Sequence, residues 1–128
     1  QEIGLNRRLE FFEKDSIVEL VDTEYGKEYR DFYKKLTSFR HNNAALAAGA
    51  DVAPAQFVED VPESVLAFVR EKGDNTVLCA FNFSAEPTSF VVSEAIAGDY
   101  TRACGKAKSL KPGDVVELPA WGFMLLSK

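Results

Sequence analysis

Three kinds of residue in this sequence could do chemistry: the carboxylates Glu2, Glu10, Glu13 and Asp15 near its start, the single His41, and the cysteines Cys79 and Cys104. Carboxylates act as general acid and base when their surroundings hold their pKa values apart. Neither a His nor an apolar pocket is evident beside Glu10, Glu13 and Asp15, so residues 1–22 read as a solvated loop. His41 has no acidic or hydroxyl partner in a motif and falls where a helix should end, so it reads as a capping or surface residue. One His and two Cys are too few for a zinc site. The sequence also lacks a nucleophile elbow, a Walker loop, an HExxH pair and paired glycines before a helix. It therefore implies no catalytic residue, no metal and no cofactor. Cys79 alternates with Val77 and Phe81, which predicts a buried, reduced thiol that does not reach Cys104; a single bridge between strands is the alternative.

Aromatic side chains offer a different chemistry, because their faces suit the apolar faces of sugar rings. Trp121, Tyr100 and Phe123 would form such a stacking surface. Against it, Trp121 is the only Trp and sits in the corner Pro119-Ala120-Trp121-Gly122, where an indole is expected to cover one end of a core.

Positioning any of these residues falls to residues 65–84, VLAFVREKGDNTVLCAFNFS, where two β-forming runs flank Gly73-Asp74-Asn75. This reads as a β-hairpin. In its second run Val77, Cys79, Phe81 and Phe83 lie on one face and Leu78 and Ala80 on the other. A strand apolar on both faces until Asn82 is central, with cover on both sides. A lone hairpin is marginal in water, so later apolar runs must return to it. Short strands are expected at 56–59, 88–92, 100–104, 115–118 and 122–126, separated by turns at Ala85-Glu86-Pro87, Gly98-Asp99 and Lys111-Pro112-Gly113-Asp114. With about seven strands and no helix between them, the fold class is mainly β, an antiparallel β-sandwich.

Ahead of the sandwich, residues 27–40 form the clearest helix. Tyr25, Tyr29, Phe32, Tyr33, Leu36 and Phe39 recur at three and four residues and make one apolar stripe, opposite Lys27, Arg30, Asp31, Lys34 and Ser38. At that spacing a core-facing stripe is the better reading than a cofactor platform. Left without a core, the stripe predicts a homo-oligomer through Tyr29, Phe32, Tyr33, Leu36 and Phe39. His41-Asn42-Asn43 ends the helix, a short turn follows at 44–48, and at Ala50 the period changes from helical to extended. That change divides the chain into 1–49 and 50–128.

The 128 residues, 46% of them hydrophobic, suffice for one real core. Basic side chains are scattered among a net charge of −5, which disfavours a nucleic-acid partner. Apolar runs are far too short to cross a bilayer. Position 1 is not Met, so a parent chain longer than this one is expected, and the compartment stays undetermined.

The order of segments carries a resemblance. QEIG at 1–4, YKKLTSFRHNNAAL at 33–46, the central hairpin and VELPAWGFMLL at 116–126 together resemble the carboxy-terminal portion of an α-amylase-family glycoside hydrolase. The resemblance implies that QEIG ends the eighth strand of a (β/α)8 barrel and that the helix is the barrel's last. The sandwich then follows as a C-terminal domain. Relatives often carry Pro where this chain has Ala44, and many carry Trp where it has Ile17-Val18. The family's nucleophilic Asp, acid/base Glu and second Asp come from earlier barrel strands, outside these residues. Glu2 would lie near the barrel rim in a supporting role. The implied function is a non-catalytic domain that stabilises its own barrel in an enzyme acting on α-glucans. A carbohydrate-binding module is the alternative.

Overall fold

A computed structural model describes residues 5–8, 10 and 21–128. The expectations for Glu2, Glu13, Asp15 and Ile17-Val18 lie outside the described residues. Two compact units divide at Ser38/Phe39, within helix α1 (Glu24–His41) and ahead of the composition change at Ala50.

Helix α1 starts earlier than its apolar period suggests, because Thr23 caps it: the Gly26 N–H donates to Thr23 Oγ1 at 3.0 Å and the Lys27 N–H to the Thr23 carbonyl at 2.9 Å. Tyr25 and Phe32 of its stripe are exposed, and Tyr25 and Tyr29 join hydroxyls at 3.0 Å.

In the second unit, eight strands are found among the described residues: β1 (Gln56–Phe57), β2 (Val65–Lys72), β3 (Asn75–Asn82), β4 (Thr88–Val91), β5 (Gly98–Arg102), β6 (Lys108–Leu110), β7 (Val115–Leu118) and β8 (Phe123–Ser127). They pair antiparallel throughout, as a six-stranded sheet β1-β2-β3-β8-β5-β6 and a two-stranded sheet β4-β7. The sandwich is as expected, with one strand more: β6 has a single large apolar residue, Leu110, and so shows no period of its own. The β2–β3 register closes at Lys72↔Asn75, leaving a two-residue turn in which Gly73 takes φ +59°, the conformation such a hairpin requires.

Strand β3 is central, and the alternation of its side chains separates two apolar layers. Leu78 and Ala80 face inward with Val65, Ala67, Val69, Met124 and Leu126, against Phe90, Val116 and Leu118 of the small sheet and Val92 just beyond β4. Ile96, Tyr100 and Leu110 complete this core. Fully burying a side chain of Leu or Ile size contributes about 1.5–3 kcal/mol, so this layer supplies most of the sandwich's cohesion. On the outer face, Val77 and Cys79 pack with Ala45, Phe39 and Leu46.

Residues 39–54 lie on that outer face as a strap. Arg70, projecting from β2, donates from Nε to the Ala53 carbonyl (2.9 Å) and from Nη2 to the Ala47 carbonyl (3.1 Å), and Lys72 Nζ reaches the Asp51 carbonyl at 3.0 Å. At the strap's start the Asn43 side chain donates to the Phe39 carbonyl and accepts from Asn75 Nδ2, while Asn75 Oδ1 accepts from the Ala45 N–H. Asn43 satisfies a carbonyl at the helix end, the capping role that the sequence suggested for His41.

Candidate functional surface

Of the three aromatics expected to stack on a sugar, the structure brings none face to face. Tyr100 is 3% exposed; its ring lies in the core, its hydroxyl donates to the Ile96 carbonyl at 3.0 Å, and Lys128 Nζ sits 4.7 Å from the ring centre. A buried ring has no face to offer a ligand. Trp121 is 66% exposed and covers no core, contrary to the expectation for its corner. Phe123, 38% exposed, belongs to the outer face of the large sheet.

The reason Trp121 points outward is local. The Gly122 N–H donates to the Pro119 carbonyl at 2.9 Å, closing a turn whose third residue is Trp121 at φ +55°. That conformation costs a side-chain-bearing residue roughly 1–2 kcal/mol. Gly122 cannot be replaced freely, since a Cβ there would lie 2.5 Å from Pro119 Cγ and 2.8 Å from the Pro119 carbonyl oxygen. The Trp121 N–H donates to the Ser84 carbonyl at 3.0 Å, fastening the turn to the end of β3.

Beneath this corner sits Asn82, which the sequence marks only as the end of an apolar run. It is buried. Its Nδ2 donates to the carbonyls of Glu86 (2.8 Å) and Pro119 (2.9 Å), and its Oδ1 accepts from the Ser84 N–H at 3.0 Å, with the Ser84 hydroxyl at 2.8 Å. One amide thus satisfies two loops at the end of the sandwich. Among the described residues, every buried side-chain nitrogen and oxygen has a partner.

The groups with potential chemistry are correspondingly quiet. Cys79 and Cys104 are free thiols. Burial pushes the Cys79 thiol up to about 11, with Arg70 opposing, so its nucleophilic thiolate is scarce near neutrality. A pocket of about 360 Å³ beside β1 is lined by Gln56, Val58, Val69 and Ile96, with Glu59, Asp60 and Glu71 among its polar residues. No group of three His, Cys, Asp or Glu among the described residues could hold a metal ion. Nor is any described helix long and apolar enough to cross a membrane.

What stands out is the open part of the outer sheet face. Phe81 is at the middle of a plate of near-parallel rings, with Phe68 at 6.4 Å, Phe83 at 6.3 Å and Phe123 at 6.5 Å between centroids and interplanar angles of 26–28°. Phe57 pairs across from Phe68, and Leu66 across from Phe81. Phe57 and Phe83 are 69% and 62% exposed. The sequence held the signal for this plate in the alternation of β2, β3 and β8. Apolar residues on both faces of a strand imply cover on both sides, and do not show how far that cover extends.

Comparison with known proteins supplies the context. A family described as the maltogenic amylase C-terminal domain matches residues 55–125. The chain belongs to that family. Among solved structures, this maltogenic-amylase-type domain is similar to AmyP in complex with maltose, with a TM-score of 0.67 at 15% identity over 82% of this chain and 21% of that one. It is also similar to the trehalulose synthase MutB of Pseudomonas mesoacidophila MX-45, with a TM-score of 0.56 at 24% identity over 77% of this chain and 17% of that one. A MutB mutant in complex with glucose gives a TM-score of 0.60 at 24% identity, over 77% and 18%. These likenesses are of fold, and the domain spans about a fifth of the length of those proteins. No curated protein matches it.

Proposed function

We propose that this chain is the non-catalytic carboxy-terminal part of an amylase-like glycoside hydrolase acting on α-glucans, and that it stabilises the barrel that carries the chemistry. On this reading residues 1–49 are the barrel's last strand end, loop and helix, and 50–128 the sandwich behind it. The observation that carries it is where the buried and half-buried polar groups are spent. Asn43 and Asn82, which are buried, and Asn75 and Arg70, which are half-buried, all bind backbone or one another, and the buried Cys79 is held as an inert thiol. Active sites instead hold groups with pKa values tuned toward reaction. Retaining glycoside hydrolysis needs two carboxyl groups about 5 Å apart across one bond, supplied here by the absent barrel strands. α-Glucans are inferred from the family's description and from the maltose bound to AmyP.

Assay of the purified chain on starch and maltooligosaccharides tests the reading. No turnover is expected; any turnover, including turnover that persists after Glu10, Glu13 and Asp15 are replaced together, would overturn it.

A second reading, a carbohydrate-binding module, is favoured by one observation, the exposed indole of Trp121 on its rigid turn. Affinity electrophoresis in amylose would show retardation that Trp121→Ala abolishes. In the isolated chain, the stripe Tyr29, Phe32, Tyr33 and Leu36 is proposed to pair with a second copy; Phe39 is occupied on the sandwich. Sedimentation against Phe32→Asp/Leu36→Asp would disperse that oligomer.

A further inference from the structure

We propose that the two open edges of the large sheet are complementary halves of one interface, so that the basic edge strand β6 of one copy of this chain lies along the acidic cleft beside β1 of the next.

A sheet edge carries backbone groups with no partner and invites another strand. At β1 the Val58 N–H turns inward to the Ala67 carbonyl, so the N–H and carbonyl of Phe57 turn outward. At the other end of the order β1-β2-β3-β8-β5-β6, strand β6 is paired only on its β5 side. Charge separates the two edges. Residues 53–63 carry Glu59, Asp60 and Glu63 and no basic residue, whereas residues 98–111 carry Arg102, Lys106, Lys108 and Lys111 against Asp99 alone. Five strand spacings of about 4.8 Å put the edges roughly 24 Å apart, about three times the Debye length of about 8 Å at physiological salt. Neither edge therefore neutralises the other within one molecule.

The cleft beside β1 fits what β6 carries. Its floor is Val58, Val69 and Ile96, its rim includes Glu59, Asp60 and Glu71, and its volume is about 360 Å³. An apolar floor under carboxylates suits a lysine, whose methylenes lie on apolar surface while the ammonium stays at the rim.

Strand direction agrees with this chemistry. All pairings in the sheet are antiparallel, so β1 and β6 run in opposite directions, and a second copy in the same orientation presents β6 antiparallel to β1 with its inward side still inward. Val69 and Ile96 belong to the inner core, which places the cleft on that inward side. Lys108 stands opposite the buried Tyr100 and two residues from the buried Leu110, so it shares the same side. Continuing the sheet brings Lys108 over the cleft. The same charges oppose β1 on β1 and β6 on β6, which leaves a head-to-tail contact that does not close as a dimer. Two residues of β1 meet three of β6, so the association is weak and shows at high protein concentration and low salt.

Sedimentation velocity of the 128-residue chain over a range of concentrations tests this, with Lys106→Glu/Lys108→Glu, Glu59→Lys/Glu71→Lys and an equimolar mixture of the two variants. Melting temperatures check that both variants fold. At low salt the wild-type sedimentation coefficient should climb with concentration past that of a dimer, and in about 0.5 M salt, where screening is nearly complete over a few ångströms, it should fall back. Each variant alone should associate at least tenfold more weakly, because both its edges now have one sign. The mixture should recover association, because every edge again meets its opposite. A wild type that stays monomeric at low salt would overturn the proposal, as would variants that associate like the wild type or a mixture no stronger than its parts. A discrete dimer that ignores salt, grows no further and is abolished by Phe32→Asp/Leu36→Asp would assign association to the helix stripe and overturn the edges.

Discussion

Removing the Asn82 amide should be the most damaging small change in the sandwich. In Asn82→Ala the carbonyls of Glu86 and Pro119 each lose one of two donors, at 2.8 and 2.9 Å, keeping the Ser84 hydroxyl and the Gly122 N–H, and the Ser84 N–H loses its acceptor at 3.0 Å. Each of the two carbonyl bonds contributes about 1 kcal/mol and the Ser84 N–H left without its acceptor costs about 1–3 kcal/mol, so the loss should be about 3–4 kcal/mol. That is a large share of the roughly 5–15 kcal/mol by which a domain is stable. For a folded unit of this size it corresponds to a fall in Tm of roughly 12–30 °C. Ser84→Ala removes only the hydroxyl, keeps the backbone contacts and should cost about 1 kcal/mol. Circular dichroism melts and urea titrations of the two variants against wild type measure the difference, with Trp121 fluorescence reporting on the corner that Asn82 supports. A melting temperature for Asn82→Ala within about 5 °C of wild type, a change of roughly 1 kcal/mol, would refute the reasoning. It would mean that water replaces the amide at no cost.

Two further outcomes follow from the strap and the thiol beneath it. Arg70→Met removes charged donors to the Ala53 and Ala47 carbonyls and should destabilise the strap by about 2–4 kcal/mol. Cys79 should then react with a thiol reagent at least about tenfold faster, that is, by more than 1.4 kcal/mol of easier opening, whereas an unchanged rate would show that the strap does not shield it. Because the folded Cys79 thiol sits at about 11 against 9.0 unfolded, the folded state keeps a proton that the unfolded chain releases. Stability from this group is intact below about pH 9, falls as pH rises toward 11 and levels off above, by about 2–3 kcal/mol in all. Denaturant titrations at pH 8 and 10.5 should show that slope in wild type and lose it in Cys79→Ala.

Much of the fold was legible because local rules and tertiary structure agree. Gly73-Asp74 between two runs of strand formers specifies the hairpin, since only a residue at ease with positive φ closes so short a turn. The apolar alternation of β3 on both faces placed it at the centre of a sheet, where Val77, Leu78, Cys79 and Ala80 are all buried. The three-and-four spacing of aromatics set α1. Strand β6 was silent, because three residues at a sheet's edge owe their state to the partner β5 and not to their own propensity.

The surface was decided by tertiary structure. Tyr100 and Trp121 look alike as candidates in the sequence, yet one closes a core and the other stands in water. A side chain's fate depends on which way its backbone leaves the strand, and the positive φ of Trp121 turns the indole out. Asn82 looks like the end of a strand and is a buried knot, because the two carbonyls it binds come from loops that meet only in the folded state. In the same way, the sequence shows that both faces of β3 are apolar but not how far each is covered. The strap reaches Val77 and Cys79, and Phe83 stays exposed, because its length and the anchors Arg70 and Asn75 fix where it lies.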